Sequence, residues 1–501
     1  MTASFPPGKL DWIIWFALVP LLKSLDDEHP SQALRLGFIA GLSHYLTLIY
    51  WIIVVLRSYG GLNLLLSICT LFLLCLYLSL YPALFSYLFC RIKGSGLTAL
   101  FAACIWVGLE YIRANVLTGF PWCLLGYTQF RHLNLIQIAD LTGVYGLSFF
   151  IVLSNAIIFA IFFDNNLKKT RFLKWEILLI LFMAFFTMTY GHARLTGVKA
   201  KGKERESVKI ALIQGNIDQA IKWNPAYQEK TIDIYNRLTR STYRFKPQLI
   251  IWPETSVPFF FQEETNFSSK VIQISKESDA DLIFGSPAYI RRGDGIKFYN
   301  RAYLLSHDGE SSGYYDKVHL VPFGEYVPLK RFFPYIQRLV PAAGDFAFGK
   351  KTAPLNLSYV SAGVLICFEV IFPELARTRA REGAGVLVNL TNDAWFGVTS
   401  APHQHLSMAV FRAVENGIPL IRAANTGISA FISPQGKIIT HSGLFTEEVL
   451  KHELILGSSS TKFYTLYGDL FAFTLLIISL IKIFYVLCYN KFIYRLKPQT
   501  L

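Results

Sequence analysis

The sequence predicts a polytopic α-helical membrane protein that carries an α/β domain between its last two membrane helices. Two observations predict it. The chain is 53% hydrophobic and only 16% charged over 501 residues, with a mean hydropathy of +0.38, which is too apolar for an ordinary soluble protein. The apolar residues are also unevenly spread. They crowd into residues 1–192 and into a stretch near the C-terminus, while residues 207–460 have a mixed composition that can bury a core of its own.

Crossing a bilayer takes about 20 mostly apolar residues. Residues 36–56, 61–90, 97–116, 136–163, 174–191 and 467–488 meet this. The second is long, and Pro82 should bend it. The first apolar run, "LDWIIWFALVPLL", is short. One Lys precedes it and no small-x-small cleavage site follows it, so it reads as a span or part-span over 7–25 rather than as a signal peptide. The expected organisation is therefore about six spans in 1–192, a linker at 193–206, the α/β domain at 207–460, a last helix at 461–490 and a tail at 491–501. Glu110 and Arg113 stand three apart on one helix face and should form a neutralised pair inside the bundle.

The net charge is +14. Many of the cations sit at the ends of apolar spans, so the basic balance points to membrane loops rather than to nucleic acid. Alternate loops hold Lys23 and Arg35, then Arg91 and Lys93, then Lys168, Lys169, Arg171 and Lys174, and the tail adds Lys491, Arg495 and Lys497. The opposite side holds mainly Arg57 and Arg131. By the excess of cations on cytoplasmic loops, the first set is cytoplasmic and the α/β domain lies on the other side. The basic linker "RLTGVKAKGKERE" argues the other way, but long domains translocate largely regardless of charge. No zinc-type Cys/His spacing, P-loop or RNA-binding aromatic signature is present, which favours the membrane reading over a nucleic-acid partner.

Within the middle domain, "SVKIALIQGNI", "QLIIWPET", "DLIFGSPAY", "NRAYLLSHDG", "SAGVLICFE" and "AGVLVNLTND" read as strands. Several are nearly continuous apolar runs, as in sheets covered on both faces. "ISAFISPQGKIIT" reads as a hairpin about Pro-Gln-Gly. Chemistry in such domains gathers where strands end. Three reactive side chains stand at such ends: Glu254 after "LIIWP", Lys317 in "YYDKVHLVPFGEYVP", and Cys367 after "GVLI". Each has a plain alternative: a solvated or capping Glu, a surface ion pair of Lys317 with Asp316, and a packed thiol. Cys367 is the only one of seven cysteines in this domain, so it has no disulfide partner there. Together the three make a coherent set. A carboxylate can take the thiol proton, and a cation stabilises the thiolate and a later oxyanion. The backbone N–H of Phe368 stands where a second oxyanion donor would.

These motifs, with "QGNIDQAIKWNP", "NLTNDAWFG", "HQHLSMAVFRAVENGIPLIRAANTGISAFISPQG" and "LTGFPW", resemble the apolipoprotein N-acyltransferases, membrane enzymes of the nitrilase (carbon–nitrogen hydrolase) superfamily. The resemblance covers nearly the whole chain. It implies an αββα nitrilase-like sandwich on the periplasmic side of a bacterial inner membrane, with Glu254, Lys317 and Cys367 as catalytic triad. It implies acyl transfer from the sn-1 position of a phospholipid, typically phosphatidylethanolamine, through a Cys367 thioester, to the α-amino group of a diacylglyceryl-cysteine on an apolipoprotein. No metal or other cofactor is implied, and nothing calls for more than a monomer. Glu325, Glu369, Trp223 and the Phe368 N–H are the implied supporting residues. Phe120 and Trp122 in "LTGFPW" suit a membrane interface and are candidates for the lipid entrance. Two departures stand out: the family's usual Cys-Tyr-Glu reads Cys-Phe-Glu here, and the family usually has one more span before "FPPGKLDWIIWFALVPLL". A membrane-tethered amidase, with water as acceptor, is the alternative that the triad alone permits. A transporter with a binding domain is more distant, since the spans carry few charges beyond Glu110 and Arg113.

Overall fold

The computed structural model describes residues 1–164, 171–197, 207–263, 265–293, 295–327, 345–350, 353–456 and 461–496. Most of the expected linker, the loop lysines Lys168 and Lys169, and Lys497 lie outside these residues. The chain forms two compact units, one of Met1–Tyr50, Ile68–Gly197 and Tyr467–Leu501, the other of Trp51–Ser67 and Val198–Leu466.

The first unit is helical. Its long helices are Pro30–Leu48, Leu64–Ile92, Thr98–Asn115, Tyr145–Phe162, Arg171–Gly197 and Leu470–Leu496. By length and composition, four described helices can cross a membrane, or five if Pro30–Leu48 and the following Ile52–Ser58 count as one span. Several sequence expectations change here. Residues 7–25 form a 3-10 turn, Asp11–Trp15, and a six-residue helix, Val19–Ser24, not one long helix. Pro20 sits in the first turn of that helix, where it lacks an N–H and blocks continuation from the preceding residues. The expected span at 36–56 breaks after Leu48, and residues from Trp51 onward join the other unit. The span expected from 136 starts at Tyr145, because Gly143 turns the chain with a φ of +63°. Leu64–Ile92 stays a single helix with Pro82 inside it.

Glu110 and Arg113 are both buried but form no ion pair with each other. Glu110 accepts from the Trp106 indole (3.1 Å) and the Leu125 N–H (2.9 Å), and Arg113 donates to the Tyr45 hydroxyl (3.0 Å). Lys93 ion-pairs with Asp26 and, at 3.3 Å, with Asp164. Three of the alternate loops thus meet at one end of this unit. Trp122 is fully buried, with its ring stacked near Phe120. Left-handed turns at Leu117, Gly119 and Cys123 fold the loop inward and leave Leu117, not Trp122, exposed.

The second unit is a two-sheet sandwich. One six-stranded sheet has the order β12-β1-β2-β3-β4-β5, from β1 (Ser207–Gln214), β2 (Leu249–Ile251), β3 (Asp281–Arg292), β4 (Gly295–Leu305), β5 (Ser311–Asp316) and β12 (Glu448–Ile455). The other has the order β11-β10-β9-β8-β7-β6, from β6 (Leu355–Asn356), β7 (Ser361–Ile366), β8 (Val386–Thr391), β9 (Leu420–Ala424), β10 (Ala430–Ile432) and β11 (Ile438–His441). Central strands β1-β2-β3 and β7-β8-β9 run parallel, and the outer pairs are antiparallel.

The period-2 alternation of side chains builds the layers. Val208, Ile210 and Leu212 of β1, with Leu249 and Ile251 of β2, pack with Val364 and Ile366 of β7 and Val388 of β8 in the core between the sheets. The intervening Ala211, Ile213 and Ile250 pack with Ile232 and Tyr235 of helix Gln228–Arg240 and Val271 and Ile274 of helix Asn266–Ser278. Helices Pro373–Arg381 and Ala401–Asn416 pack with the second sheet. Helix, sheet, sheet and helix therefore stack as an αββα sandwich. The hairpin about Pro-Gln-Gly forms as β10–β11. The strands β5, β6, β9 and β12 were not marked by the sequence pattern.

Candidate active site

The three strand-end residues converge. Pro253 lacks an N–H and ends the pairing of β2, so the chain turns and presents Glu254. The turn is held against β3, where the Gly285 N–H donates to Pro253 O (3.1 Å) and Val257 N–H donates to Gly285 O (3.0 Å). A Cβ on Gly285 would lie 2.4 Å from Thr255 N and 2.8 Å from Glu254 Cα. Gly285→Ala must therefore push the Glu254 turn away. A loss of about 1–3 kcal/mol in stability is expected, with a fall of up to about 100-fold in turnover from misplacing the carboxylate. Denaturant titration alongside an activity assay checks both.

Lys317 follows β5 directly. Its Nζ lies 2.8 Å from Glu325 Oε2 and 4.0 Å from Glu254 Oε1. Asp316 does not pair with it but binds Arg301 through two hydrogen bonds (2.6 and 2.9 Å). Burial alone would push the Lys317 ammonium down, but the Glu325 and Glu254 carboxylates hold it above its usual value. Asn300 of β4 joins the two acids: its Nδ2 donates to Glu254 Oε1 (2.8 Å) and to Glu325 Oε1 (2.9 Å). Among the described residues, Glu254 Oε2 is buried and has no hydrogen-bond partner, which leaves it an open acceptor position.

Cys367 follows β7 with a φ of +51°. This left-handed conformation is costly for a residue with a Cβ and is found where function holds it. It turns the chain sharply from strand into the 3-10 segment Cys367–Ile371. The thiol is half-buried. Burial pushes it up and the Glu254 carboxylate adds to this, while Lys317 opposes; the thiol is pushed up to about 12. The free thiol is thus protonated at neutral pH, and a nucleophilic role for it requires a base.

Glu369 is fully buried and touches several segments at once. Its Oε1 accepts from Val318 N–H (2.7 Å), His319 N–H (3.0 Å) and Tyr315 Oη (2.8 Å), and its Oε2 from Ile366 N–H (2.7 Å). One carboxylate therefore ties the backbone after Lys317 to the backbone before Cys367. Behind it, Arg379 donates to Tyr315 Oη (2.7 Å). Phe368 packs its ring edge-on to Phe372 and near His319. Trp223 is half-exposed and lines a cavity of about 990 Å³ with Pro258, Phe259, Phe260, Phe298 and Phe346.

Some residues around the thiol escaped the sequence reading. Asn389 donates to Cys367 O (3.4 Å) and is itself bound by Arg422. Arg422 also binds Asp393 (2.6 Å), which accepts from Thr391 and lies 3.1 Å from His405. Burial would raise the Asp393 carboxyl, but Arg422 and His405 hold it well below the usual range. The neighbouring motif "NLTNDAWFG" was the signal available for Asn389 and Asp393. Trp51, Tyr59 and the helix between them pack on that motif, with Trp51 against Phe396 and Tyr59 against Trp395. Asn300 had no signal, being one polar residue on a strand. Lys222, next to Trp223, is also buried, and its Nζ donates to Glu254 O (3.2 Å).

Residues 1–157 match the apolipoprotein N-acyltransferase N-terminal domain, and residues 209–461 match the carbon-nitrogen hydrolase family. The chain is 46% identical over 475 residues to an apolipoprotein N-acyltransferase of Geobacter metallireducens, covering 94% of this chain and 90% of that protein. It is 33% identical over 490 residues to that of Haemophilus influenzae, covering 95% and 91%. Among solved structures it matches a carbon-nitrogen hydrolase from Helicobacter pylori at 18% identity and a TM-score of 0.40, covering 53% of this chain and 94% of that one. With both halves matched, and a relative 46% identical over 94% of this chain and 90% of its own length, the chain belongs to the apolipoprotein N-acyltransferase family.

Proposed function

We propose that the enzyme acylates the N-terminus of diacylated lipoproteins by a two-step transfer through Cys367. The observation that carries the reading is Cys367 on its left-handed turn, with its ionisation coupled to Glu254 and Lys317. In the first step Glu254 takes the thiol proton and the sulfur attacks the sn-1 ester carbonyl of a phospholipid. Phosphatidylethanolamine is the proposed donor. The carbon–oxygen bond breaks, the proton on Glu254 passes to the leaving alkoxide, and a lysophospholipid departs. In the second step the α-amine of the diacylglyceryl-cysteine attacks the thioester. Glu254 takes the amine proton and the thiolate leaves. Lys317, kept charged by Glu325, stabilises the oxyanion in both steps, and the Phe368 N–H is the second donor. Glu369 holds the Lys317 and Cys367 backbones in register. The aromatic cavity lined by Trp223 suits an apolar part of the substrate.

The helical unit, with its four or five apolar helices, supports a setting in the bacterial inner membrane. The cation-rich loops joined by Lys93 would face the cytoplasm, and the sandwich the periplasm. The total of seven spans and a role for Phe120 at a lipid entrance belong to the same proposal. The buried Trp122 is the less suited of the two aromatics.

The test uses the purified full-length protein with phosphatidylethanolamine. Mass spectrometry should find an acyl adduct on the Cys367 peptide, and a diacylated lipopeptide with a free amine should discharge it to a triacylated product. An absent adduct overturns the mechanism. An adduct that only hydrolyses, with no transfer, would favour a membrane-tethered hydrolase.

A further inference from the structure

The best-placed residue without a role in this mechanism is Lys222. It is 1% exposed, and among the described residues its ammonium donates one hydrogen bond, to the backbone oxygen of Glu254 at 3.2 Å. Taking an ammonium out of water costs several kcal/mol, and one neutral carbonyl does not offset that. The compensating charge must come from nearby. The groups acting on Lys222 are the Glu254 carboxylate and Cys367, which both oppose the downward push of burial, leaving it at about 8. On its own loop, Lys222 N–H donates to Asp218 O, but the Asp218 side chain is exposed. Beyond Glu254 lie Lys317 and Glu325, already paired at 2.8 Å. Asp393, with His405 and Arg422, lies on the Cys367 side.

Lys317 is held by Glu325 at 2.8 Å and lies 4.0 Å from the Glu254 carboxylate, whereas Lys222 meets Glu254 through the backbone oxygen of its turn. Proton transfer from Cys367 to Glu254 moves the negative charge from carboxylate to sulfur. A cation coupled to both groups stays compensated before and after the transfer. We propose that Lys222 is a second active-site cation, a positioning residue that fixes the Glu254 turn through its carbonyl and offsets the thiolate when Glu254 takes the proton.

This inference rests on Cys367 as nucleophile, and its test needs no lipid or lipopeptide, so it stands or falls apart from the identity of the substrates. Iodoacetamide is applied to the full-length protein from pH 6 to 10, and alkylation of the Cys367 peptide is followed by mass spectrometry. Loss of a nearby opposite charge shifts a pKa by about one unit or more. Lys222→Met should slow alkylation about 10-fold at neutral pH, and the two profiles should approach each other above about pH 8, where the wild-type Lys222 loses its charge. Lys222→Arg, which keeps the charge, should restore most of the rate. In wild type, acyl transfer should also fall as Lys222 loses its proton above about pH 8, and Lys222→Arg should move that fall to higher pH. An unmoved alkylation profile in Lys222→Met, or equal slowing in Met and Arg, overturns the proposal in favour of simple packing. Should Lys222→Met fail to fold, Lys222→Gln against Lys222→Arg makes the same comparison.

Discussion

Replacing Cys367 with Ala or Gly is expected to lower acyl transfer by on the order of 10⁵-fold, the scale seen when a covalent nucleophile is removed. No acyl adduct should form on the altered peptide. The two variants should differ in stability. Both lack the thiol, but Ala keeps a Cβ at a φ of +51°. That conformation costs about 1–2 kcal/mol for a residue with a Cβ and nothing comparable for glycine. Cys367→Gly should therefore be more stable than Cys367→Ala by about 1 kcal/mol, read as a higher midpoint in denaturant. Equal midpoints would mean that the turn is not strained, and that it is no sign of a position held for chemistry.

Glu369→Gln is expected to be the most damaging single change that leaves Glu254, Lys317 and Cys367 in place. The carboxylate takes the Val318 and His319 N–H groups on one oxygen and the Ile366 N–H on the other, with Tyr315 Oη reaching both. An amide has one acceptor oxygen. Whichever way it is placed, its NH₂ faces at least one buried backbone N–H. An unpaired buried donor costs about 1–3 kcal/mol, and the lost charge-assisted bonds add to it. A stability loss of about 3 kcal/mol or more is expected. The backbones after Lys317 and before Cys367 would also separate. A shift of about 1 Å there should lower kcat about 100-fold with little change in KM. A calorimetric midpoint and steady-state kinetics test this. Equal loss in kcat and in substrate binding would argue that Glu369 contacts the substrate rather than braces the site.

Much of the site was legible because its residues end strands. Pro253 closes one apolar run before Glu254, and Cys367 closes another after "GVLI"; both breaks are local and need no knowledge of partners. The thiol's isolation in its domain was legible by counting. Lys317 was legible as a candidate, but its partner was not: Asp316, its sequence neighbour, turns to Arg301, and Glu325 takes its place. Asn300 and Lys222 were invisible for the same reason. Their roles lie in hydrogen bonds to Glu254 across 46 and 32 residues of chain, and neither residue type nor spacing marks that. In the helical unit, hydropathy located Leu64–Ile92 and Thr98–Asn115 closely. It overran at 7–25 and at 36–56, where a proline and a break after Leu48 interrupt helices that composition alone would join.

The sequence by itself determined the partition into an apolar helical part and an α/β part with sheets buried on both faces, and the three reactive side chains. These follow from hydropathy sums, from period-2 alternation and from breaks within a few residues, all properties of neighbouring positions. Only the tertiary structure decided which charge meets which. It gave Lys317 to Glu325, set Lys222 under Glu254, gave Glu110 and Arg113 different hydrogen-bond partners, turned Trp122 inward, and made Glu369 the tie between two strand ends. Buried charges and donors take whatever partner satisfies them at hydrogen-bonding distance, and that distance is set by packing of elements far apart in the chain.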